Sequence, residues 1–176
     1  PPSTSTRMSG NAPELSVDII RELPGWRAVA GDAALATAAR AAYGFSPAPK
    51  RACGVALLLT GDTDVRRLNG LWRGRDEPTN VLSFPHDGPA PDGGTDHLGD
   101  IALALETVTR EAADKGIPAG QHAAHLVVHG MLHLLGYDHE EDVEAQAMEA
   151  LETKILRGLG LPDPYAEEMI TAGEAR

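Results

Sequence analysis

The stretch from His122 to Leu135 restricts the fold more than any other: it has helical spacing, it is apolar on most sides, and Gly136 stands where a C-terminal cap belongs. A helix of that kind has to be covered, so the rest of the chain must build a core around it. Histidines interrupt the apolar surface at His122, His125, His129 and His133, and His139 follows just beyond the glycine. Residues four apart are about 40° apart around a helix and roughly 6 Å along it, which lets His129 and His133 aim their imidazoles at one point. One zinc ion, with nitrogens at ~2.0–2.1 Å, fits there. Gly136 can adopt the left-handed conformation that turns the chain back, which brings His139 to the same ion and leaves one coordination position open.

His125 has the same spacing from His129, but helix rise puts it about 12 Å from His133, too far for one ion to take all three. The metal set is therefore His129, His133 and His139, at the end of the helix. His122 and His125 are left to packing, to supporting a ligand or to the rim of a pocket. A core helix with incidental imidazoles is the competing reading, and the glycine turn with a third histidine at this offset argues against it.

The remaining pattern supplies the cover. Leu15 to Ile20, Val55 to Leu59, Val81 to Phe84 and Ile101 to Leu105 read as four strands, and Ala28 to Tyr43, a stretch through Val65 and Leu68, Glu106 to Lys115 and Glu141 to Leu159 read as helices. Pro85 to Gly99 is a long loop dense in Pro, Gly and Asp. The expected fold class is α+β, a single small mixed sheet of about four strands covered by helices. At 176 residues the chain suits one domain. Pro1 to Arg7 (residues 1–7), ahead of Met8, read as a tail outside the fold, and residues 8–176 as a single domain.

Composition removes several classes. No apolar run approaches the roughly 18 residues of a membrane span. Cys53 is the only cysteine, so no intrachain disulfide forms, and a cytoplasmic location is expected. A formal charge of -11 argues against indiscriminate adhesion to nucleic acid or anionic lipid, so a nucleic-acid site must be local. Two Trp, three Tyr and two Phe leave few platforms for stacking bases.

The local site has a candidate. Lys50, Arg51, Arg66, Arg67, Arg73 and Arg75 form a basic island opposed only by Asp62 and Asp64. Arg73 stands apart because it reads as part of a turn-rich segment leading into a strand, from which its planar fork could hold two phosphate oxygens near the metal. Asp100 and Asp138 could orient a ligand or capture a proton, or could simply turn the backbone. The acidic run from Asp138 to Glu152 reads as a solvated helix face. In the metalloprotease pattern His-Glu-x-x-His the glutamate after the first ligand is the general base, and here that position is Gly130. Zinc lowers the pKa of bound water to about 7 without such a base, and a phosphodiester, whose charge a metal and an arginine can stabilise, suits this equipment better than a peptide.

The segment His129-Gly130-Met131-Leu132-His133-Leu134-Leu135-Gly136-Tyr137-Asp138-His139 resembles the signature of the YbeY endoribonucleases, the rRNA maturation factor family. Leu68-Asn69, Arg73-Gly74-Arg75-Asp76, Pro78 to Pro85 and Leu98-Gly99-Asp100-Ile101 are similar to that family in order and spacing. The resemblance implies a zinc-dependent, single-strand-specific RNA endonuclease acting in maturation of the 3′ end of small-subunit ribosomal RNA and in ribosome quality control. Its partners would be single-stranded RNA and the small ribosomal subunit, with no DNA and no membrane. The resemblance also places the metal ligands on His129, His133 and His139 and the functional arginine on Arg73. Trp72 stands where tyrosine is usual, Arg75 where lysine is usual, and the loop from Pro85 to Gly99 is extended. Two other readings stay open: a metalloprotease using the same three histidines, and a non-catalytic zinc-containing ribosome-assembly factor.

Overall fold

The computed structural model describes residues 15–45, 52–86 and 96–166, so the expected tail over residues 1–7 lies outside the described residues. Four strands, β1 (Leu15–Arg21), β2 (Cys53–Thr60), β3 (Val81–Pro85) and β4 (Asp96–Ala104), form one sheet in the order β1-β2-β4-β3. The β1–β2 and β2–β4 pairs are parallel and β3 runs antiparallel to β4, which makes the sheet mixed as expected. Five helices accompany it: α1 (Asp32–Phe45), α2 (Asp62–Arg73), α3 (Leu105–Lys115), α4 (Ala119–Leu134) and α5 (Asp142–Gly158).

Alternation along the strands divides the packing between two faces. Val55, Leu57, Leu59, Ile101 and Leu103 join Leu35 and Ala39 of α1, Val127, Val128, Met131 and Leu132 of α4, and Met148, Ile155 and Leu156 of α5 in the main core. Leu58, Ala102 and Ala104 point the other way, into a smaller cluster with Val65 and Leu68 of α2 and Leu82 and Phe84 of β3. The His-bearing helix α4 packs against β3 and β4 of the sheet and against α1, α3 and α5. None of the described helices is long and apolar enough to cross a membrane.

Two boundaries differ from the sequence expectation by four residues or more. The first helix starts at Asp32, because Pro24–Ala28 winds as a separate 3-10 turn that buries Trp26, whose indole N–H donates to the Thr60 carbonyl at 2.8 Å. The fourth strand begins at Asp96, inside the expected loop. Its polar start is held by pairing rather than by burial: Asp96 and His97 match Cys53 and Gly54 of β2 across a register shift, and Gly99 matches Pro85 of β3. The rest of that loop, residues 87–95, lies outside the described residues.

Candidate metal centre

Helix α4 ends as its glycine requires. Gly136 has φ 97°, and the N–H groups of Gly136 and Tyr137 donate to the carbonyls of His133 and Leu132 at 3.0 Å each. The reversal places the Tyr137 carbonyl beside His133, whose Nδ1 donates to it at 3.1 Å. It also returns His139 over the helix end. The His139 ring stacks on His129, with centroids 5.6 Å apart and planes 27° apart, and its centroid lies 4.9 Å from that of His133. One ligand atom from each of the three histidines lies within 4.8 Å of the others.

The donor set suits a cation. His133 gives its Nδ1 proton to a carbonyl, and His129 Nδ1 meets the Glu152 carboxylate at 2.5 Å. Both acceptors fix the proton on Nδ1, so both Nε2 atoms carry lone pairs, and these face each other at 3.0 Å. Two lone pairs at that distance repel unless something positive lies between them. Nitrogens at two corners of a tetrahedral zinc site would be about 3.3 Å apart. Burial, together with the neighbouring His129 and His139, holds the pKa of His133 below its ordinary value and keeps it in the neutral form a metal needs.

Glu152 corrects the sequence reading. It belongs to the acidic run expected to be a solvated face, yet it is 0% exposed. Its carboxylate also takes His125 Nε2 at 3.0 Å and the hydroxyl of Tyr165. Burial works against its charge, but the hydrogen bonds from His125 and His129, the proximity of His129 and the Tyr165 hydroxyl outweigh that and bring its pKa down to about 2. A signal for it exists in the sequence: Glu152 is four residues from Met148 and from Leu156, on the apolar stripe of α5. His125, left to a supporting role, holds Glu152. His122 is a packing residue, 1% exposed, with Nε2 bonded to Glu111 at 2.7 Å.

His129, His133 and His139 line a cavity of about 850 Å³ together with Arg73, Arg75, Asn69, Asn80 and Ser83. The placement of Arg73 in a turn segment is corrected: it is the last residue of α2, before the cap at Gly74. A cation is favoured there by the helix dipole, and one terminal N–H donates to the Ser83 carbonyl at 2.9 Å. Among the described residues, the other cations of the island do not line the cavity. Arg66 pairs with Asp76 at 2.7 Å and Arg67 lies 3.7 Å from Asp64, while Lys50 and Arg51 lie outside the described residues. Asp138 turns the backbone, accepting from its neighbour His139 N–H at 2.7 Å, and Asp100 pairs with His97 at 2.9 Å. Trp72 is exposed and lines a separate, mostly apolar cavity with Phe84, 6.4 Å away between ring centroids.

Gly130 is required by space. A Cβ there would lie 3.0 Å from Ile101 Cγ2 and 3.1 Å from Ser83 Oγ, and Ser83 Oγ donates to the Gly130 carbonyl at 3.2 Å. The helix approaches the sheet at this point, so a glutamate side chain would be driven into the core instead of toward the metal centre.

A family model described as Endoribonuclease YbeY matches residues 32–160. The protein of Rhodopseudomonas palustris (strain BisB18) named Endoribonuclease YbeY is 51% identical over 147 residues, covering 81% of this chain and 88% of that one. Its namesake in Nitrobacter hamburgensis is 50% identical over 148 residues, covering 81% of this chain and 78% of the relative. A solution structure of a Thermotoga maritima protein shares the fold, with a TM-score of 0.54 at 23% identity over 90% of this chain and 95% of the other.

Proposed function

This chain belongs to the endoribonuclease YbeY family, and on that premise we propose that it is a zinc-dependent, single-strand-specific endoribonuclease that acts in maturation of the 3′ end of small-subunit ribosomal RNA and in ribosome quality control, in the cytoplasm. The observation that supports it best is that three imidazoles converge in a cavity that Arg73 and Arg75 also line.

His129, His133 and His139 would hold the ion. When bound, zinc supplies Lewis acidity toward water and toward a phosphoryl oxygen. The chain's residues do the rest. Arg73 has one terminal N–H committed to the Ser83 carbonyl, which fixes the guanidinium plane and leaves its other donors to phosphate oxygens. Hydrolysis of a phosphodiester builds negative charge on those oxygens, and a positioned arginine stabilises that charge more than it stabilises the substrate. Arg75 adds a second cation to the same cavity. In a chain of net charge -11, these two cations give RNA phosphate a local site beside the histidines.

The direct test is metal analysis of the purified chain together with cleavage of a labelled single-stranded RNA. One equivalent of zinc, cleavage abolished by chelator and restored by zinc, and a labelled duplex left intact are the expected results. Peptide products from denatured casein without RNA products would overturn the proposal, as would small-subunit binding that survives His133→Ala in a nuclease-free preparation that cuts no RNA.

A further inference from the structure

Glu152 is costly where it is. A carboxylate on the buried stripe of α5, 0% exposed, loses its hydration and must be compensated by the protein. Three donors from two other parts of the chain do so: His129 Nδ1 on one oxygen, and His125 Nε2 and the Tyr165 hydroxyl on the other. With both oxygens engaged, Glu152 serves the metal centre indirectly, through His129. His133, by contrast, is oriented by a neutral carbonyl. A charged acceptor on the far nitrogen of an imidazole holds the ring at one angle, keeps the metal-facing nitrogen unprotonated and makes it a stronger donor.

Tyr165 extends the argument beyond the helices. It follows α5 and lies outside the stretch that the family model matches, residues 32–160. Its segment is folded back onto α5: Asp163 Oδ1 accepts from the Tyr165 N–H at 2.9 Å and from Thr153 Oγ1 at 3.1 Å. The hydroxyl that reaches Glu152 is therefore delivered by an ordered turn.

We propose that Glu152 is the positioning residue of the metal centre, fixing the orientation and tautomer of His129, and that Tyr165, held in the turn after α5, together with His125 sets the placement of that carboxylate and so tunes the affinity of the three-histidine site. The inference rests on the reading of that site as a zinc centre.

The test is competition for zinc between the full-length protein and a chromophoric chelator, with the absorption spectrum of the cobalt-substituted protein as a report on ligand geometry. Glu152→Gln keeps an acceptor but removes the charge, and it should weaken zinc binding by about 10- to 100-fold and shift the cobalt spectrum. Tyr165→Phe should weaken it by about 2- to 10-fold, the share of one hydrogen bond. The metal-free melting temperature of each variant separates this effect from loss of fold. Zinc affinity and cobalt spectrum unchanged in a folded Glu152→Gln variant would overturn the proposal. If that variant does not fold, Tyr165→Phe decides, and unaltered affinity there overturns it. Zinc binding by the unaltered protein that is insensitive to His133→Ala would instead sink the zinc-centre reading itself.

Discussion

The histidines and the arginines that line the cavity differ in how they are held. On α4, His129 and His133 are partly buried, and each has its second nitrogen bonded to a fixed acceptor, Glu152 or the Tyr137 carbonyl. Arg73, at the end of α2, and Arg75, just beyond its cap, are exposed, and Arg73 is tied by a hydrogen bond to Ser83. The difference suits the two tasks proposed for them. An ion held by three nitrogens tolerates errors of a few tenths of an ångström, so its ligands need support from within the core. A flexible polyanion is drawn by charge at longer range, and exposed guanidinium groups serve it well.

Substitutions in each set should separate the two tasks. His133→Ala is the largest intervention: with two ligands left, zinc affinity measured by chelator competition should fall at least about 100-fold, and RNA cleavage should fall to background. Arg73→Ala should cut turnover of single-stranded RNA by roughly 100- to 1,000-fold while the protein retains one zinc. Cleavage by this variant at the normal rate would show that the arginine is dispensable, and loss of zinc would show that the two sets are not independent.

Gly130→Glu probes the support behind the histidines. Overpacking against Ile101 and Ser83, added to a buried charge, should lower stability by roughly 3 kcal/mol or more, read from urea denaturation. A folded, equally stable variant would mean that the helix can move away from the sheet.

Acid should act on the histidines first. Burial holds the pKa values of His122 and His133 below 6.5, so in the metal-free protein their contribution to stability is present above pH 6.5 and is lost as pH falls through the lowered values. Glu152, at about 2 against 4.5 unfolded, contributes above pH 4.5 and loses that contribution as pH falls toward 2. The melting temperature of the metal-free protein should therefore drop in two stages. The smallest effect belongs to Arg75→Ala, expected to weaken RNA binding by a few-fold and to lower its salt dependence by about one counterion. A larger loss than that of Arg73→Ala would reverse the order of the two arginines.

Much of this could be read from local pattern. The four strands show as short apolar runs, and the spacing of His129 and His133 together with the turn residue Gly136 brings the ligand set to one helix end. What escaped the pattern depended on partners far along the chain. Trp26 winds its segment into a 3-10 turn because it reaches Thr60, 34 residues away, and the start of β4 is strand because β2 and β3 offer it partners. Arg73 reads as loop because Gly74 and Pro78 crowd it, whereas α2 runs through to it.

Glu152 marks the dividing line most clearly. Helix geometry converts a separation of four residues into a direction in space, so the clustering of His129 and His133, the turn and the approach of His139 were determined by sequence alone. No such rule connects α5 to α4. The meeting of Glu152 with His129, 23 residues apart, and of Ser83 with Gly130, 47 apart, exists only because both helices and the sheet share one core. Local spacing carries the position of groups on one element. The distance between elements is decided by packing, and it is packing that buried a solvated-looking acid against His129.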